Sequence, residues 1–253
     1  MEINKIYNMD CIAGMSMIQD GTVDMILADL PYGVTNCPWD SLLPLDQLWN
    51  QYERVTKPNG AIVLTACQPF TTALINSNRR RFRYCWYWHK NMATGFPFAK
   101  FQPMRCIEDV VVFYRQAPTY NPQGLIEAVS TKPKRKQIKD DCVYHMDTLS
   151  KEYITQYTNY PKNLLEIKSE RGLHPTQKPV ALFEYLIRTY TNPGELVLDS
   201  CMGSGTTAIA CIQSGRNYIG FELDESYYNA AQNRILQLTA KKEITAEHGS
   251  ESD

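Results

Sequence analysis

With 253 residues, 43% of them hydrophobic, the chain is long enough to bury one substantial core, with or without a smaller lobe. A formal charge of −1 excludes a chain-wide polycation, so any contact with nucleic acid has to come from local basic clusters. No apolar run reaches the roughly 20 residues of a membrane helix, and the 8 cysteines show neither zinc-knuckle nor CxxC spacing.

The start, MEINKIYNMD, lacks the apolar stretch of a signal peptide, and the expected location is cytoplasmic. In that reducing compartment the cysteines read as small buried hydrophobes, with no disulfide, metal or membrane partner expected. VDMILADL is a short apolar run closed by an acid and Pro31, the pattern of a buried parallel strand entering a loop. KPNGAIVLTA gives a Pro-Asn-Gly turn and then a β-rich run from Ala61 to Thr65. YCWYWHK and EDVVVFYR are two further strands, rich in aromatic and β-branched residues.

From about Arg115 to Arg171 the chain turns polar, basic, Tyr-rich and weakly periodic, which predicts a loop-rich insertion. KPVALFEYLIRTYT returns to helical spacing and stops at NPG. Strand ELVLD, a Gly-rich loop, helix GTTAIACIQSG, strand NYIGFEL and helix DESYYNAAQNRILQLTA follow. This βαβα order predicts an α/β fold with a mostly parallel sheet flanked by helices. The expected division is 1–114 and 172–240 as two halves of one domain, 115–171 as the insertion, and 241–253 as a frayed tail.

Two strand ends carry acids. In LVLDSCMGSGTT, Asp199 ends an apolar run and is followed by Gly203, Ser204 and Gly205, then a helix whose first N–H groups are free. Such a loop suits a nucleotide-like ligand, although the spacing is neither GxGxxG nor a P-loop. One strand later Glu222 stands where a carboxylate can accept two ribose hydroxyls. The plain alternative is an ordinary Gly-rich turn with a capping acid.

At the other strand end, Asp29-Leu30-Pro31-Tyr32 sets a carboxylate, backbone carbonyls and an aromatic ring within one turn. An exocyclic amine on a nucleobase is a poor nucleophile because its lone pair is delocalised into the ring. Two acceptors, the Asp29 carboxylate and the Leu30 carbonyl, can bind its two N–H bonds and stabilise the positive charge that develops. Tyr32 offers a stacking surface for an extruded base. The plain alternative here is a turn that merely ends a strand.

Together these motifs resemble the amino-group DNA methyltransferases that use S-adenosylmethionine, in the permuted (beta) group whose catalytic motif precedes the cofactor motif. ADLPYG is similar to the DPPY motif, DSCMGSGTT to the DPFxGSGT loop, and HPTQKPVAL to the segment before the cofactor helix. NMDCIAGM resembles the short motif whose acid contacts the cofactor adenine. The resemblance implies a Rossmann-like methyltransferase fold with an inserted target-recognition lobe, base flipping in double-stranded DNA, and methylation of adenine N6. Cytosine-N4 methylation and a DNA-binding relative without turnover are the alternatives.

By the same resemblance, Asp29, Leu30, Pro31 and Tyr32 are catalytic. Asp10, Asp199, Cys201, Gly203, Ser204, Gly205 and Glu222 go to the cofactor, with Thr176, Gln177 and Lys178 near its methionine end. The family also includes homodimers and enzymes paired with a restriction enzyme of the same site. Two departures stand out: Leu30 replaces a Pro, which keeps the carbonyl but relaxes the turn, and Ser200-Cys201 replaces Pro-Phe, which widens the adenine pocket.

For DNA contact the sequence offers KPKRKQIK (Lys132, Lys134, Arg135, Lys136, Lys139), NRRRFR (Arg79, Arg80, Arg81, Arg83) and YITQYTNY. Solvated charge explains the first two equally well, and packing within the small lobe explains the third. Trp39 and Phe98 are candidates to flank the flipped base or its channel, with packing the expectation for each, and His174 is read as structural or cofactor-shaping rather than a base.

Overall fold

The computed structural model describes residues 1–33, 42–128, 154–170 and 177–249, without side chains for 241–249. Trp39, Lys132, Lys134, Arg135, Lys136, Lys139, His174 and Thr176 lie outside the described residues. The chain divides into two units, Met1–Asn121 with Asn163–Asp253, and Pro122–Lys162.

The larger unit is built on one sheet. Its elements run β1 (Lys5–Asn8), α1 (Cys11–Ser16), β2 (Val23–Asp29), α2 (Leu45–Val55), β3 (Thr56–Ala66), α3 (Phe70–Ser77), β4 (Phe82–Thr94) and β5 (Arg105–Tyr114). The smaller unit holds β6 (Ile126–Glu127) and β7 (Tyr157–Thr158) as an antiparallel pair, pinned where Asn159 Nδ2 donates to the Gly124 carbonyl at 2.8 Å. The larger unit resumes with β8 (Leu164–Glu166), α4 (Val180–Tyr190), β9 (Leu196–Asp199), α5 (Thr206–Ser214), β10 (Asn217–Glu222) and α6 (Glu225–Gly249).

Sheet order is β1-β10-β9-β2-β3-β5-β4-β8. The five strands from β1 to β3 are mutually parallel, while β5 is antiparallel to both β3 and β4. Successive β2 side chains face opposite ways, so Met25 and Leu27 join one core cluster and Ile26 and Ala28 the other. Burial on both faces is why this strand reads as an unbroken apolar run rather than an alternation. Helices α4 and α5 cover the first face, and α1, α2 and α3 the second.

This order creates the cleft. From β2 the chain crosses the second face through α2 to β3, and from β9 it crosses the first face through α5 to β10, in the opposite direction along the sheet. Connections that diverge from two neighbouring strands leave a crevice outside their carboxyl ends. Asp29 and Asp199 are the last residues of those two strands.

Three features differ from the sequence reading. Strand β8 pairs with β4 in the main sheet, so the polar middle stretch supplies an edge strand as well as a separate unit. The YITQYTNY stretch was expected to pack within the small lobe, yet Ile154, Tyr157 and Tyr160 are exposed. Helix α6 continues to Gly249, past the point where fraying was expected to begin.

Candidate active site

Asp29 ends β2 beside Thr65 of β3. Its Oδ1 accepts hydrogen bonds from the Tyr32 hydroxyl at 2.7 Å and from Thr65 Oγ1, and the Tyr32 hydroxyl also lies 3.0 Å from Thr65 Oγ1. Oδ2 faces Lys178 Nζ at 2.7 Å. The same ammonium stands 3.4 Å from Glu108 Oε2, and Glu108 Oε1 accepts from Lys90 Nζ at 2.7 Å. Lys178 and Lys90 are both buried, so two ammonium groups and two carboxylates form an alternating chain inside the cleft wall. Burial alone would lower Lys178, but the Asp29 and Glu108 anions outweigh it and hold the ammonium above its ordinary value.

Tyr32 lies stacked on Phe70, with ring centroids 5.5 Å apart, and the Lys178 ammonium is 5.5 Å from its ring centre. Burial, with the anions of Asp29 and Glu108, raises the phenol well above its usual range, so it stays a neutral donor to Asp29. The part the sequence suggested for this ring, a stacking surface for a base, is therefore joined by a hydroxyl contact that orients the carboxylate. Leu30 is buried and Pro31 follows it out of the strand.

On the neighbouring strand Asp199 is buried; its Oδ1 accepts the Cys201 amide at 2.9 Å and its Oδ2 the Thr207 hydroxyl. Burial pushes this carboxyl up to about 7, against the lowering effect of those two donors, and Asp29 and Glu222 add to the rise. Glu222, also raised by burial, accepts the Gly203 amide at 2.7 Å and the Asp224 amide at 2.9 Å. Asp29, Asp199 and Glu222 thus lie close enough to act on one another electrostatically, with Lys178 balancing Asp29.

The intervening loop is shaped by glycine. Gly205 adopts φ +83° ahead of α5, and a Cβ there would come within 3.1 Å of Ala231 Cβ. Gly203 adopts φ +52°, with nothing nearer to a built Cβ than the Cys201 carbonyl at 4.0 Å. Gln177 Oε1 accepts the Ser204 hydroxyl at 2.9 Å, and Arg234 of α6 donates to the Ser204 carbonyl at 3.1 Å. Asp10 caps α1 by accepting the Ala13 amide at 2.9 Å and remains exposed just beyond the end of β1.

Several contributors were not foreseen. Lys178, expected near the methionine end of a cofactor, also pairs with Asp29. Glu108, Lys90, Thr65 and Arg234 carried no motif and reach the site from β5, β4, β3 and α6. Ser200, expected only as a departure, is buried and shares a 2.6 Å hydrogen bond with the Tyr52 hydroxyl of α2. The NRRRFR cluster starts β4 at the far end of the sheet, where Arg81 pairs with Glu53 at 2.7 Å and Arg83 lies over the Tyr114 ring. It takes no part in the crevice.

Residues 23–233, from β2 into α6, match the family model of N6/N4 DNA methylases. The type II methyltransferase M1.MboII of Moraxella bovis is 27% identical over 261 residues, covering 94% of this chain and 98% of the relative. M2.MboI of the same species is 27% identical over 269 residues, covering 92% and 88%. The solved structure of an M1.HpyAVI–SAM complex matches with a TM-score of 0.62 at 26% identity, covering 91% of this chain and 98% of that one. The cytosine-N4-specific PvuII DNA methyltransferase shares the fold, with a TM-score of 0.66 at 17% identity over 90% of this chain and 84% of its own. A family match that spans both acid-bearing strand ends and the Gly-rich loop between β9 and α5 leaves one conclusion: the chain belongs to the N6/N4 DNA methylase family.

Proposed function

We propose that the chain is a site-specific methyltransferase that moves a methyl group from S-adenosylmethionine to the N6 amine of adenine in double-stranded DNA, acting on a base drawn out of the duplex. The observation that supports this reading is that Asp29 and Asp199, the residue from which the glycine loop departs, end neighbouring strands where the connections of the sheet diverge. An acid heading the tetrapeptide is the adenine-type residue in the family the sequence resembles.

The crevice fits the cofactor on its own chemistry. Glu222 sets a carboxylate beside the glycine loop that can accept hydroxyls, and Gly203 leaves open space next to it. Asp199, Cys201, Gly203, Ser204 and Gly205 would line its nucleoside side, with Glu222 and Asp10 for the hydroxyls and adenine. Thr176, Gln177 and Lys178 are assigned to the methionine end. Bound S-adenosylmethionine supplies an electrophilic methyl group.

The remaining work belongs to the chain. Asp29 and the Leu30 carbonyl accept the N–H bonds of the amine and favour a pyramidal nitrogen with its lone pair directed outward. Tyr32 and Thr65 fix the carboxylate through Oδ1. Its Oδ2 accepts from Lys178 and keeps a second lone pair for the incoming amine, so the ammonium, itself paired with Glu108, holds the carboxylate while the amine binds. The methylated nitrogen then loses a proton to water or Asp29.

Long-read sequencing of DNA from a methylation-free host that expresses this chain tests the reading. N6-methyladenine at one short motif is expected. N4-methylcytosine would replace the assigned base, and unmodified DNA despite S-adenosylmethionine binding would refute the proposed activity. The homodimer and a restriction enzyme acting on the same site belong to the same proposal and are checked by light scattering and by the gene neighbourhood.

A further inference from the structure

Strands β4 and β5 pair up to His89↔Ile107, slip, and close again at Thr94↔Arg105. Asp109 of β5 is level with Ala66, the last residue of β3, and Thr65 is level with Asp29. Arg105 lies four positions before Asp109, so the paired part of this hairpin runs about 13 Å beyond β3 at the catalytic edge before its ten-residue tip begins.

The tip, which holds a single 3-10 turn at Phe96–Phe98, is bare. Every residue from Asn91 to Arg105 except Gly95 is exposed, and Phe96, Phe98 and Phe101 keep 77%, 57% and 87% of their surface. Phe98 was expected to pack, and it does not. Three exposed phenylalanines within six residues lose free energy in water and mark a surface that meets a partner. Between 91 and 107 there is no Asp or Glu, whereas Lys100 and Arg105 are exposed.

We propose that this hairpin tip inserts into duplex DNA, with Phe96 and Phe101 entering the base stack beside the extruded base and Lys100 and Arg105 taking the flanking phosphates. The inference rests on the methyltransferase reading above. Its occupant is DNA rather than a protein because the tip is purely cationic and stands at the edge where a base must reach Asp29. Flat rings replace the stacking that a departing base gives up, and cations without neighbouring acids suit a polyanion.

The test uses the full chain and a fluorescein-labelled duplex carrying the motif found by sequencing, with 2-aminopurine at the methylated position in a second duplex. Phe96→Ser with Phe101→Ser should lower methylation kcat/KM about 100-fold, at roughly tenfold per lost stacking ring, and abolish the 2-aminopurine fluorescence rise. S-adenosylmethionine affinity and thermal melting should stay at the wild-type level, since both side chains are exposed. Phe96→Trp with Phe101→Trp should restore activity, with tryptophan emission quenched by the duplex.

A serine variant that methylates and flips like the wild type would overturn the proposal. So would a serine variant whose mass falls from dimer to monomer, which gives the patch to a second copy of the chain. If the wild type methylates no duplex, the underlying reading fails instead, and duplex anisotropy still decides the hairpin: unchanged affinity in the serine variant refutes it.

Discussion

Lys178 Nζ lies 2.7 Å from Asp29 Oδ2, in a buried chain of charges that continues through Glu108 to Lys90. The ammonium thus occupies one oxygen of the carboxylate assigned to the substrate amine, while two hydroxyls hold the other. Held through both oxygens, this partly buried carboxylate has a fixed direction, and Oδ2 keeps a lone pair for the amine.

Replacing Lys178 with Met should therefore do two separable things. Removing one partner of a buried pair typically costs about 3–5 kcal/mol, and the lower end is expected because Asp29 keeps a quarter of its side-chain exposure. Urea denaturation measures this. Methylation kcat should also fall, since the carboxylate has lost the donor that holds its Oδ2 in place. A kcat unchanged from wild type would show that Lys178 serves stability alone.

Asp29→Ala should reduce methylation by roughly 100-fold or more, the scale of losing a preorganised electrostatic contact. Cofactor affinity should change little, because Asp29 ends a different strand from the glycine loop. Single-turnover assays and calorimetry separate the two quantities. A variant with wild-type turnover would remove Asp29 from the chemistry.

The two loop glycines should fail differently. Gly205→Ala places a side chain at φ +83° and 3.1 Å from Ala231, so it should destabilise the fold by about 1–3 kcal/mol. Gly203→Ala, at φ +52°, carries backbone strain but no close contact, so it should melt closer to wild type than Gly205→Ala, yet weaken cofactor binding more than its stability loss explains. Equal losses of affinity and stability in both variants would contradict this division.

Asp199 predicts a pH dependence of stability. Burial lifts its carboxyl from 3.8 to about 7. Between about pH 4 and about pH 7 the folded chain therefore holds a proton that the unfolded chain has released, and stability declines as pH rises through that window, then levels. Asp199→Asn cannot ionise. The melting-temperature difference, variant minus wild type, should grow in the variant's favour from about pH 4 to about pH 7 and stay flat above. A difference that does not vary with pH would place the Asp199 carboxyl at an ordinary value.

The sequence by itself determined the strands that end in acids, the glycine turn and the βαβα order, and with them the fold class. These are local signals: apolar runs of strand length, glycines at positive φ, and helical spacing. It misjudged Phe98 and the Tyr-rich stretch because aromatic content does not say whether a neighbouring layer exists to cover it.

Only the tertiary structure decided what those strand ends touch. Lys178 reaches Asp29 across 149 residues, and Ser200 reaches Tyr52 across 148. Neither pair leaves a spacing in the chain, because such contacts are set by strand order. Crossovers leaving β2 and β9 in opposite directions bring both acids to one crevice, and β5, inserted antiparallel between β3 and β4, delivers Glu108 to Lys178 and carries the phenylalanine hairpin to the same edge.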